Sequence, residues 1–292
     1  MKLTCDSMRA LPKFLYYQFS GPELQRIITD SAIGSSVPGF NLGLLSSITV
    51  PVPPLDEQHA IAEALGDVDT LLLGLDQLIE KKRAVKQAVM AQLLSGERRL
   101  TDNEETWPTE ELGSLVTIRM GRTPSRADAK NWGAGWPWVA ISDLNHRFIV
   151  TTKEQITDRA AEFMPLVPPG TLLLSFKLSV GKVGIASVPC YTNEAIAALY
   201  PHGIDRLFLY YALLSVDWSA YGVQAVKGTT LNLASLASVT VPVPPLPEQQ
   251  AIAEVLTALD DELRALDERR GKTQHLKRGM MASLLSGKVR LR

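Results

Sequence analysis

The residues from Ile48 to Leu100, opening ITVPVPPLDEQHAIAEAL and closing AQLLSGERRL, return without a gap from Val239 to Leu291, opening VTVPVPPLPEQQAIAEVL and closing MASLLSGKVRL. Roughly half the positions are identical over about 50 residues, and the copies stand about 190 residues apart, far beyond the period of a stacked array. A solenoid is therefore excluded. The pattern describes one module used twice with a different body held between the copies.

Each copy begins with a proline-punctuated extended stretch, suited to a sheet edge rather than a central strand. A helix follows, with Asp56 placed to cap the first and Pro247 suited to the first turn of the second. Ile61, Leu65, Val68, Leu72, Leu75 and Ile79 alternate three- and four-residue spacings, as do Ile252, Leu256, Leu259, Leu263 and Leu266. That is a heptad seam, and these residues are the candidate helix-pairing set. Lys82 and Lys86 then occupy seam positions while apolar residues continue at Val85, Val89 and Leu93, with Leu276, Met280 and Leu284 in the second copy. The expectation is a change of packing face there. Ser95-Gly96 and Ser286-Gly287 supply left-handed caps, so each helix runs about 37 residues, or about 55 Å. Two matched helices separated by a domain are expected to pair antiparallel.

The span between them, residues 101 to 238, reads as a mixed domain rich in short strands. LGSLVTIRMG, WPWVAISDLN, LVPPGTLLLSF and VGKVGIASV carry strand composition bounded by turns, and helical periodicity returns around Asp205 to Leu214. The fold class is α+β. Lys and Arg number 30 against 31 Asp and Glu, so bulk charge offers no general attraction to nucleic acid. Locally the balance differs, because Arg119, Arg122, Arg126, Lys130, Arg147, Lys153, Arg159, Lys177 and Lys182 outnumber the acids around them. Two distant cysteines make neither a disulfide framework nor a metal motif, and the four histidines have no metal or triad spacing. No membrane-length apolar run or leader-like N-terminus is found, so the expected location is cytoplasmic.

Gly121-Arg122-Thr123-Pro124-Ser125-Arg126 follows a strand with amides, hydroxyls and two guanidiniums, chemistry suited to phosphate. Lys177, Ser179 and Gly181 alternate onto one side of the run Ser175 to Lys182, with Lys182 just beyond them, and present a second basic edge. Asn193, in Tyr191-Thr192-Asn193-Glu194, has two readings, a ligand contact or a local cap. Lys227-Gly228-Thr229-Thr230 parallels Gly34-Ser35-Ser36 before the first repeat and is read as structural, with phosphate contact by Lys227 second. Trp132, Trp136 and Trp138 are read as the core of a small β domain rather than a base-stacking platform. The candidate nucleic-acid-binding residues are thus Arg119, Arg122, Thr123, Ser125, Arg126, Lys177, Ser179, Lys182, Asn193 and Lys227. No catalytic set, cofactor fingerprint or metal site emerges, which assigns any reaction to a partner.

The doubled PVPPLxEQxxIAxxL helix start, the LLSG helix end, WPTEELGSLVTIRMGRTPS, WVAISDLN and SFKLSVGKVGIAS together resemble the specificity subunit of type I restriction-modification systems. The resemblance covers nearly the whole chain. It implies a non-catalytic DNA reader in which a target-recognition domain reads half of a split sequence. It also implies an antiparallel spacer of two helices and recruitment of methylation and then restriction subunits. On that reading residues 101 to 238 are a complete recognition domain, and 48 to 100 and 239 to 292 are the spacers. Residues 1 to 47 are the tail of a first recognition domain, because FLYYQF at Phe14 parallels FLYYAL at Phe208. The chain is accordingly expected to be N-terminally shortened, with a second copy or a second specificity fragment as a further partner class. The alternative is a helical scaffold, or a recombination cassette, that binds methylation subunits without complete target readout.

Overall fold

The structure is a computed structural model and describes residues 5–6, 8–31, 42–101, 105–221, 223–225 and 228–291. The chain begins with α1 (Pro12–Ser20), α2 (Pro22–Ser31), α3 (Leu42–Ser47) and the long α4 (Leu55–Leu94). Then come β1 (Thr109–Glu111), the single turn α5 (Leu112–Leu115), β2 (Val116–Met120), β3 (Trp132–Val139), β4 (Phe148–Ile149), β5 (Glu154–Ile156) and α6 (Asp158–Ala161). Next are β6 (Leu172–Ser175), β7 (Lys177–Leu178), β8 (Val183–Ala186), β9 (Tyr191–Thr192), β10 (Ile196–Pro201) and α7 (Arg206–Ser215). The last are β11 (Val223–Ala225), β12 (Gly228–Thr230), α8 (Leu233–Ala237), β13 (Thr240–Pro242) and α9 (Leu246–Leu284). The expected α+β class is observed, and both long helices end at glycines with φ of 75° and 73°, the left-handed caps read from LLSG. Two details differ. Asp56 lies inside the first turn of α4 rather than capping it, and LGSL is a helical turn between β1 and β2 rather than strand.

Two compact units divide the chain, residues 1–85 with 260–292, and residues 86–259. In the first, α4 and α9 run antiparallel, because ion-pair partners rise along one helix as they fall along the other. Asp69 meets Lys277 at 2.6 Å, Asp76 meets Arg270, and Lys82 meets Glu262 at 2.7 Å. Each such exposed pair is worth little, but together they set register. Ile61, Leu65, Leu75 and Ile79 are buried along the seam, and Val68 and Leu72 half-buried. α1 covers one end, placing Phe14 and Tyr17 against Ile61, Leu65, Met281 and Leu284.

The expected change of packing face is not observed. Val85 and Leu276 are exposed, at 40% and 59%, whereas Lys82, Lys86 and Lys277 are half-buried and lead on to Val89, Leu93, Met280 and Leu284. The heptad therefore continues through its lysines, whose long alkyl stems cover the seam while their heads reach partners at its margin. Lys277 lies 5.6 Å from the Tyr17 ring as well as on Asp69, and Lys86, its counterpart in the repeat, lies 5.9 Å from the Tyr211 ring.

In the second unit one sheet has the order β2-β10-β6-β8-β4, antiparallel except for the β4–β8 pair. Successive side chains of a strand face opposite sides. Leu172 and Leu174 accordingly join Phe208, Tyr211, Leu93, Ile252 and Leu256 on one face, and Leu173 joins Ile149, Ile196 and Ala198 on the other. Burial on both faces explains why TLLLSF is apolar without alternation. β1 pairs with β13, so the second VTVPVPP stretch is a two-stranded edge as its prolines require.

The repeat is also legible in hydrogen bonds. Gln249 donates to the Pro244 carbonyl at 2.7 Å and accepts from the Asp205 amide at 2.6 Å, while Gln58 donates to Pro53 at 2.8 Å and accepts from Leu11 at 2.8 Å. Thus α1 docks on the first helix start as α7 docks on the second, as the FLYY parallel implies. One difference is that Asp205 caps α7 by accepting from the Leu207 and Phe208 amides, both at 2.9 Å, whereas Leu11 gives α1 no side-chain cap. Asp205→Ala is expected to lower stability by about 1 kcal/mol, measured by denaturant unfolding.

Candidate nucleic-acid interface

At the end of β2 the chain turns at Gly121 into the loop that carries Arg122, Thr123, Ser125 and Arg126. A side chain at Gly121 would place Cβ 2.1 Å from the Thr192 carbonyl oxygen and 2.5 Å from that of Asn193. Absence of that atom lets two loops touch. Across the approach the Arg122 amide donates to the Thr192 carbonyl at 2.8 Å, and the Trp138 indole donates to the Arg122 carbonyl at 3.1 Å. Thr123 donates to Glu194, and the Asn193 amide donates to Val139 at 3.1 Å. A third segment joins them where the Phe176 amide donates to the Ala195 carbonyl at 3.0 Å, bringing Lys177 beside Glu194. Thr123's hydrogen bond, followed by the local backbone and the charges of Lys177 and Arg126, holds the Glu194 carboxyl below its ordinary range against the opposing effect of burial.

The candidate residues divide by what they already touch. Arg126 forms an ion pair with Glu154 and lies 3.8 Å from the centre of the Trp132 ring and 5.0 Å from that of Trp138, so its charge is largely met inside the fold. Ser125 anchors its loop through its carbonyl, which accepts from Asn131 at 3.3 Å and from the Trp132 indole at 3.1 Å. The Asn193 side-chain oxygen accepts from the Ala195 amide at 3.0 Å, closing a local turn before β10. Ser179 offers its carbonyl to the Ser175 hydroxyl. Lys227 lies outside the described residues, as does the Gly34-Ser35-Ser36 parallel drawn with it.

Arg119, Arg122, Lys177 and Lys182 form no ion pair among the described residues. Arg119 lies 5.5 Å from the Tyr200 ring, Arg122 makes a long 3.5 Å contact to the Phe163 carbonyl, and Lys182 donates to Asn145 at 3.2 Å. Beside Arg122 a cleft of about 320 Å³ is lined by Thr123, Asn131, Arg159 and Phe163. Two further members of the basic cluster, Arg147 and Arg159, are engaged. Arg147 packs between Tyr210 and Tyr211 and donates to the Tyr211 hydroxyl at 3.0 Å and to Thr257 at 3.1 Å, and Arg159 pairs with Asp128 at 3.1 Å. Trp138 is buried among Ile156, Ala160 and Tyr191, and Trp132 and Trp136 pack half-buried against that cluster. Among the described residues no cluster of metal-ligating side chains occurs, and no helix is long and apolar enough to cross a membrane.

A family model described as "Type I restriction modification DNA specificity domain" matches residues 4–83 and 104–276. The chain belongs to that family. The putative type I restriction enzyme MjaX specificity subunit of Methanocaldococcus jannaschii is 26% identical over 305 residues, which cover 96% of this chain and 69% of the relative. The Escherichia coli EcoDI specificity subunit is 23% identical, with 95% and 70% covered. In fold, the type I S subunit from M. genitalium superposes with a TM-score of 0.63 at 18% identity, covering 96% of this chain and 74% of that one.

Within this type I specificity chain, the spacing of residues places Gly121 and Thr192 in candidate loops but does not show that the two loops touch, and it gives no sign of Phe163. Gly121 ends a strand just before Arg-Thr-Pro, which was the available signal for a close backbone approach. Phe163, 75% exposed beside Arg122, sits in a stretch with no periodicity to mark it. If the unpaired cations meet phosphate, Arg122→Ala and Lys182→Ala will each weaken duplex binding alike across sequences and lower the salt slope by about 1. Titration at several salt concentrations measures both.

Proposed function

We propose that this chain is the non-catalytic, sequence-reading subunit of a type I restriction-modification complex, with residues 101 to 238 reading one half-site of duplex DNA. The observation that carries this reading is the convergence of the Gly121–Arg126, Thr192–Ala195 and Phe176–Lys182 segments, with Arg122, Lys177 and Lys182 outside any ion pair among the described residues. Phosphate contacts from such side chains position a reader, and neighbouring hydroxyl and apolar groups discriminate base edges. Residues 48–100 and 239–292 serve as paired spacer helices that carry methylation subunits and, through them, restriction subunits. Residues 1–47 act as the tail of a first recognition domain.

The test is selection from a randomised duplex library by the full chain together with type I methylation subunits. Enrichment of a short motif is expected; recovery of the subunits without any enriched motif would overturn the reading. That second outcome is the one expected of a scaffold without target readout, a reading favoured by Glu194, which places negative charge on one of these loops, and by Glu154, which pairs with Arg126 of another.

A further inference from the structure

Leu178 is the one non-glycine residue with positive φ among the described residues, at 65°, and its side chain is 52% exposed. Both properties are unfavourable for leucine: a branched apolar side chain is strained in the left-handed region, and glycine or asparagine would occupy a simple turn there at lower cost. Such a residue persists only where its surroundings hold it in place. Here they do. The Ser175 amide donates to Lys182 at 2.9 Å, the Gly181 amide returns to the Ser175 carbonyl at 2.9 Å, and the Lys182 amide donates to the Ser175 hydroxyl at 3.0 Å. β7 pairs with β12, setting Leu178 opposite Thr229, and Gly181, at φ 89°, lets the Trp218 indole close against the base of the loop. This hydrogen-bonded frame thus holds an exposed isobutyl group in the segment that also carries Lys177 and Lys182.

We infer that Leu178 is a specificity-determining residue that reads a thymine through its 5-methyl group in the DNA groove. The inference rests on the DNA-reading function proposed above and names a residue that determines its specificity. The flanking lysines supply phosphate contacts that bring the tip to the groove without sequence preference. The thymine methyl is the apolar feature a base pair displays in the major groove, and an exposed aliphatic side chain is the complement to it.

The experiment compares the full chain with Leu178→Asn, again with methylation subunits, on the selected motif and on the same duplex with thymine replaced by uracil one position at a time. Asparagine tolerates positive φ, so this variant is expected to melt at or above the parent temperature. For the parent chain, uracil at one position should weaken binding by about fourfold, the value of one buried methyl group. Leu178→Asn should bind both duplexes alike and lose preference at that position only. If the parent enriches a motif and Leu178→Asn enriches the same motif with the same uracil sensitivity, the assignment of Leu178 is overturned while the DNA-reading function stands. If the parent enriches no motif, that function falls and this inference with it.

Discussion

Glu248→Ala will destabilise the second unit by about 3 kcal/mol or more, because it removes the anion from a buried, fully engaged ion pair. The Glu248 side chain has no solvent exposure. It accepts from Arg99 Nε at 2.9 Å and Nη2 at 2.7 Å, from the Leu100 amide at 3.2 Å and from the Trp107 indole at 3.2 Å. Arg99 also lies 4.8 Å from the Trp107 ring and donates to the Glu105 carbonyl at 2.8 Å. One carboxylate therefore ties the start of α9 to the chain leaving α4, and its loss strands several donors at once. Arg99→Met should also destabilise, leaving the carboxylate buried without its counter-ion. The equivalent pair of the first unit, Glu57 with Arg290 at 2.6 and 2.7 Å, has an arginine side chain 57% exposed, so Arg290→Met should cost less. Denaturant unfolding of the full chain compares them. The pair also sets a pH dependence: Arg99's hydrogen bond foremost, outweighing burial, holds the Glu248 carboxyl below its ordinary range. The stabilisation is thus complete above the unfolded glutamate pKa and is lost as pH falls through the lower folded value. Glu248→Gln should flatten that acid limb.

Gly121→Ala is expected to reduce duplex binding by roughly tenfold or more while costing about 1–3 kcal/mol of stability. The added Cβ would meet backbone, the carbonyl oxygens of Thr192 and Asn193, and no side-chain rotation relieves contact with backbone. The Arg122 and Asn193 loops must separate, drawing Arg122 and Thr123 away from Glu194. Binding by fluorescence anisotropy, with unfolding measured in parallel, separates the two effects. Loss of affinity no larger than the stability change can explain would show that the loops need not touch for recognition.

Much of the fold could be read in the residues because the repeat and the heptad are local, periodic signals. Ile61, Leu65, Ile252 and Leu256 needed nothing beyond spacing to be placed on a buried stripe, and Gly96 and Gly287 marked their helix ends by backbone chemistry alone. The seam through Lys82, Lys86 and Lys277 was misread because a search for apolar positions passes over lysines whose stems pack. Val85 and Leu276 then drew the apparent stripe onto an exposed face. LGSL was misplaced for a related reason, since four residues carry too short a pattern to separate a helical turn from strand.

The candidate interface was legible only as a composition. Sequence alone determined that the chain has two equivalent helical modules, an intervening β-rich body and a local surplus of cations, because each of these follows from periodicity, identity or count. Tertiary structure decided which of those cations find a partner within the fold among the described residues. Arg126 is met by Glu154, Arg147 is held by Tyr211 and Thr257, and Arg122 stands beside a cleft instead. Each outcome depends on a partner distant along the chain, and distance-dependent electrostatics cannot be assigned before the chain has folded and brought the partners together.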